Sequence, residues 1–161
     1  MAISPNGKTL YPMLEGSLTT DTNQQRIIIY EFDLRTKTYT GRQWFYKLDA
    51  PTATHAIGDL TAINHKEFLV IERDNFEGAA ALFKKIFIVD LTKVGSDGFL
   101  IKREVADLLR IEDPLNLGGQ GPLFRFPFTT IESVIPLSSR TLGVLNDNTS
   151  CRAPAEPAGR M

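Results

Sequence analysis

The amino-acid sequence predicts an all-β protein made of repeated antiparallel sheets. Three observations lead there. Short runs of β-branched and aromatic residues recur along the chain, turn-forming Gly, Asn, Asp and Pro sit between them, and long helical stretches are missing. With 161 residues and 42% hydrophobic side chains, the chain holds enough apolar material for one core.

The elements follow in chain order. Residues 2–4 and 9–11 flank Pro5-Asn6-Gly7-Lys8 and read as a hairpin, with Asn6-Gly7 suited to the positive φ angles of a type I′ turn. Residues 26–34 (RIIIYEFDL) and 41–48 (GRQWFYKL), joined by a polar link, form a second hairpin and complete a set of four strands. A second set spans residues 56–63, 67–72, 85–90 and 101–109. Two stretches have a helical alternative, residues 79–83 as one turn and residues 104–111 as a short helix. After the connector 116–122 a third group offers two strands, 129–135 and 141–146.

A repeat strengthens this reading. Asp59 precedes the run Leu69 to Asn75, and Glu132 precedes the run Leu142 to Asn148; the acid-to-acid separations agree, 74 − 59 = 15 and 147 − 132 = 15. One acidic residue opening a strand and an Asp-Asn pair closing the next is the pattern of radial blade repetition. Leu10 and Glu15 match Leu69 and Asp74 as a third copy, with its opening acid falling before Met1. The expected architecture is thus an incomplete β-propeller of about two and a half four-stranded antiparallel blades over residues 1–148. Residues 149–161, poor in large apolar side chains, are expected to be a disordered tail. Open sheet edges at both ends make homo-oligomerisation through those edges an expectation.

Composition narrows the function classes. The 18 basic and 19 acidic residues nearly cancel, leaving no positive field for a nucleic-acid backbone or an anionic membrane. A single cysteine, Cys151, excludes an internal disulfide and a cysteine-rich zinc site. The first residues lack the basic start and apolar stretch of a secretory signal, no run is long enough to span a bilayer, and localisation stays open.

The segments 3–11 (ISPNGKTLY), 69–74 (LVIERD), 85–90 (KIFIVD) and 126–134 (FPFTTIESV), with Asn146-Asp147-Asn148, resemble the phytase-like family, described by esterase-like activity of phytase. The resemblance covers most of residues 1–148. It implies hydrolysis of phosphate or other esters, with acidic residues gathered at the mouth of a propeller and calcium as a cofactor.

The residues that would carry such chemistry sit at strand ends. Glu72, Arg73, Asp74 and Glu132 are the catalytic candidates, Arg73 as a fork for phosphate oxygens. Asp59, Asp74, Glu132, Asn146 and Asp147 are the oxygen donors for calcium, and a bound calcium would position a small phosphate ester and acidify a water. Lys102 is a further candidate for the phosphate. The plainer alternative is that these groups bond to turn backbone or stand as surface charges, in a non-catalytic propeller that binds a partner. No Gly-x-Ser-x-Gly elbow, EF-hand spacing or phosphate-binding loop is present. His55 and His65 read as structural or exposed, Gly118-Gly119-Gln120-Gly121 as a flexible connector, and the Trp44-Phe45-Tyr46 run as packing between blades.

Overall fold

The structure is a computed structural model and describes residues 1–147. The tail expectation for residues 149–161, Asn148 and Cys151 lie outside the described residues. The chain is all-β, as its sequence predicts, with antiparallel sheets throughout.

The first sheet is a meander of β1 (Ala2–Ile3), β2 (Thr9–Tyr11), β3 (Arg26–Asp33) and β4 (Thr38–Lys47) in that order. The β1–β2 turn closes with the Gly7 amide donating to the Ser4 carbonyl, and among its non-proline residues only Gly7 has a positive φ. Asn6 therefore does not enter the left-handed region that a type I′ turn requires. Pro5 fixes a negative φ ahead of it, and the Asn6 side chain instead accepts from Ser4 Oγ and the Lys8 amide.

The second sheet is β5 (His55–Ala62), β6 (Glu67–Asp74), β7 (Lys84–Val94) and β8 (Leu100–Asp107), again in chain order. Residues 79–83 begin inside a single 3-10 turn, Gly78–Ala80, and return to extended backbone at Ala81, so the one-turn reading holds only for their start. Residues 104–111 are not helical: β8 runs to Asp107, and after a turn the chain enters β9 (Ile111–Glu112). Strand β9 pairs with β10 (Leu123–Phe124), a short hairpin hidden by the glycine-rich connector. The last sheet pairs β11 (Ile131–Pro136) with β12 (Leu142–Asn146).

Side chains alternate between faces of a strand, and β6 uses both. Phe68 and Val70 join Ile27, Ile29, Tyr46 and Leu48 in a core between the first and second sheets. Leu69 and Ile71 join Ile86, Ile131 and Val134 in a core between the second and last sheets. The middle sheet is covered on both sides, which is why β6 reads as a continuous apolar run rather than an alternating one. Each fully buried large aliphatic side chain contributes roughly 1.5–3 kcal/mol. Of the aromatic run, Tyr46 is the one driven fully inside.

Candidate functional site

Three consecutive charged residues, Glu72, Arg73 and Asp74, close β6, and the pleat sends neighbours to opposite faces. Glu72 points to the first sheet and is completely buried. One carboxylate oxygen accepts from Tyr46 Oη at 2.7 Å and from Lys102 Nζ at 2.7 Å. The other accepts the Asp49 amide at 2.6 Å and lies 3.3 Å from His55 Nδ1. Lys102 also reaches Asp49 at 2.5 Å and the Lys47 carbonyl at 2.9 Å, and lies over the Tyr46 and Phe87 rings. Burial, followed by the Glu72 carboxylate, pushes the Tyr46 phenol well above its ordinary value. Every group here is satisfied, so the network clamps the first two sheets together. Lys102 and His55 are committed to it, while His65 is exposed.

Asp74 is equally committed. Its carboxylate lies 2.7 Å from the fully buried Lys84 Nζ and accepts the amides of Leu82 and Phe83 at 2.7 and 2.9 Å. Lys84 donates in addition to the carbonyls of Asp74 and Phe76. Burial works to raise the Asp74 pKa, but Lys84 and the two amides outweigh it and hold the carboxyl below the ordinary aspartate value. This pair fastens the β6–β7 loop.

Arg73, between them, points the other way, toward the line where β5 meets β11. It is 5% exposed. Its Nη1 donates to Asn75 at 2.9 Å, and its Nη2 is shared between Glu15 at 3.5 Å and Glu132 at 3.4 Å. Charge-assisted pairs close to about 2.7–2.9 Å when tight, so both contacts are loose. The buried Nε has no partner among the described residues. Glu15 and Glu132 also line a cleft of about 180 Å³ together with Asp59, Met13, Ile57 and Leu60. At its wall, a Cβ added to Gly58 would come within 2.1 Å of the Ile131 carbonyl oxygen, so only glycine lets β5 approach β11 this closely.

The repeat is visible in the pairing registers, displaced by one residue from the acid-to-acid match. A bulge between Ile57 and Asp59 recurs between Ile131 and Ser133, and the flanking pairs Ile57 with Glu72 and Ile131 with Asn146 coincide: 131 − 57 = 74 and 146 − 72 = 74. Asp59 is thus the counterpart of Ser133, and Glu132 the counterpart of Gly58. The two acids that open the sequence repeat hold non-equivalent places.

The structure brings Arg73 and Glu132 together, and sets Asp59 at the same cleft as Glu132. It separates Glu72 and Asp74 from them. The five calcium donors do not fit one ion: Asp59 accepts from the Leu60 and Val134 amides and Thr61 Oγ1, Asp74 is held by Lys84, and Glu132 faces Arg73. Asn146 and Asp147 close β12, where the Asp147 backbone bonds with Thr130. Among the described residues no three His, Cys, Asp or Glu side chains are grouped to hold a metal. Glu15, matched in sequence to Asp74, joins the site through Arg73. Lys84 and Asp49 gave no local signal, because their partners lie 10 and 23 positions away in the chain, and Tyr46 was read only as packing.

Sheets that repeat in chain order, stacked so that an acid-lined cleft forms where their first strands meet, define a repeated-sheet antiparallel β protein. The family model for phytase-like proteins, esterase-like activity of phytase, matches residues 1–149, and the chain belongs to that family. At family level it is a hydrolase-like domain. No curated protein and no solved structure matches the chain.

Proposed function

We propose that the stacked sheets are blades of a β-propeller and that the central cleft binds and hydrolyses a phosphoric ester. The neighbouring placement of β1 beside β5, and of β5 beside β11, supports the radial reading, because each sheet then turns its first strand to one axis. The observation that carries the site is Arg73. It is a buried guanidinium behind the cleft-lining Glu15 and Glu132, with an Nε unpartnered among the described residues and two loose carboxylate contacts, so an ester anion that displaces those carboxylates gains its donors. In this reading Arg73 holds the phosphoryl oxygens, the displaced Glu132 takes a proton from the attacking water as the P–O bond to the ester alcohol breaks, and the leaving alkoxide takes its proton from solvent. No step is routed through calcium, since the donors do not converge.

The second reading is a binding module without catalysis. Three acids, Glu15, Asp59 and Glu132, line the cleft, while Arg73 meets two of them from behind it, and this negative balance opposes a dianionic ester. Release of p-nitrophenol from p-nitrophenyl phosphate and p-nitrophenyl acetate separates the two, with thermal melting in millimolar calcium alongside. Hydrolysis of the phosphate is expected, falling on the order of 10- to 100-fold in Arg73→Met. Phosphate hydrolysis that survives Arg73→Met and Glu132→Gln unchanged would sink the assignment. A calcium-dependent rise in Tm without turnover would favour the binding module.

A further inference from the structure

A second cleft, of about 420 Å³, opens between the β6–β7 loop and the β9–β10 hairpin and shares no lining residue with the central one. Part of its wall is apolar. Leu82 and Leu123 flank it, 82% and 48% exposed, and Ala81 and Leu109 are buried against it. The Leu82 wall is held in place by Asp74, whose carboxylate accepts the Leu82 amide at 2.7 Å. That tie gives the Asp74–Lys84 pair a consequence outside the loop it fastens.

The hairpin register supplies the other half. Strands β9 and β10 pair Ile111 with Phe124 and Glu112 with Leu123. Arg110 precedes the first of these strands and Arg125 follows the second, so both flank the same end of the hairpin, and both line the cleft. Both are exposed to solvent at one end of the hairpin, where two guanidiniums lining one cleft make a positive edge that an anion would neutralise. Neither guanidinium forms a salt bridge or a side-chain hydrogen bond among the described residues. The one acid lining the cleft, Asp107, spends an oxygen on the Leu109 amide at 2.9 Å, so two positive charges face a single negative one.

We infer that this cleft binds a small amphipathic anion, with its charged head between Arg110 and Arg125 and its alkyl or aryl tail along Leu82, Leu109 and Leu123. Guanidiniums recognise carboxylate, sulfate and phosphate heads through paired N–H donors, and the leucine walls exclude water from the tail. The requirement for both halves separates this site from an ordinary basic surface, which would take the head alone, and from an ordinary apolar dimple, which would take the tail alone.

The test is an amide-resolved NMR titration of the full chain with sodium octanoate, run beside octan-1-ol and sodium acetate. Octanoate is expected to shift the Leu82, Leu109 and Leu123 amides saturably, and to bind more tightly than either control. Arg110→Gln and Arg125→Gln should each weaken it on the order of tenfold or more, and Leu82→Ser should weaken it with both charges intact. The inference is overturned if octanoate gives no saturable shift. It is also overturned if octan-1-ol binds as well, or if the Arg110→Gln/Arg125→Gln double variant keeps the native affinity.

Discussion

Glu72 and Arg73 are adjacent in the chain, both buried and both charged, yet they serve opposite ends. On the Glu72 side, two carboxylate oxygens meet four partners at 2.6–3.3 Å, and the cation among them, Lys102, is itself surrounded by oxygens and rings. On the Arg73 side, two carboxylates stand 3.4–3.5 Å away, both substantially exposed, and one N–H is left over. Burial alone does not distinguish a clamp from a site. The distinction lies in how fully the charge is satisfied, since a saturated group has nothing to offer a ligand while an unsaturated one is held in readiness by the fold.

The largest expected effect lies on the saturated side. Glu72→Ala leaves Lys102 and the Tyr46 hydroxyl without their shared acceptor between two sheets, at a cost of about 3–5 kcal/mol. Urea unfolding would read it, and a loss below about 1 kcal/mol would show that the network is not the clamp described. The sign of the Asp74 contribution is fixed by its lowered pKa. As pH falls below the ordinary aspartate value of 3.8, the unfolded chain takes up a proton that the folded chain still refuses. The stability is therefore present above that value and lost as pH descends through the lower folded one. Melting wild type and Asp74→Asn from pH 6 to pH 2 should show their difference shrinking toward acid, and a constant gap would contradict the charged pair with Lys84. The smallest effect belongs to the other face. Arg73→Met keeps the packing and removes the Asn75 hydrogen bond with two loose contacts to exposed carboxylates, so it should cost about 1 kcal/mol while weakening ligand binding at the cleft on the order of 10- to 100-fold. A loss as large as that of Glu72→Ala would erase the contrast between the two faces.

The strands were largely legible because each carries its own signal. Residues 26–34 and 67–72 are β-branched runs bounded by turn chemistry, and they fold as β3 and β6 within one or two residues at either end. Where the local signal was thin, the reading slipped. Residues 111–112 and 123–124 form too short a hairpin to rise above the glycine-rich connector between them, and the propensity of residues 104–111 did not separate strand from helix. The repeat is readable in its spacing but runs one residue out of step with the fold, because the acids recur at one spacing and the bulges at another, 74 residues apart.

From the sequence alone came the all-β class, the grouping of strands into two sheets of four and one of two, and the strand ends where the charges lie. These depend on neighbours in the chain, through periodicity and turn residues. Only the tertiary structure decided that Glu72 faces Tyr46 and Lys102, that Asp74 holds Lys84, and that Arg73 is left between Glu15 and Glu132. Those partners are separated by 10 to 59 positions in the chain. Whether a charge is saturated depends on which sheets stack and on which face of the pleat a residue occupies, and neither is set by the residue's own neighbours.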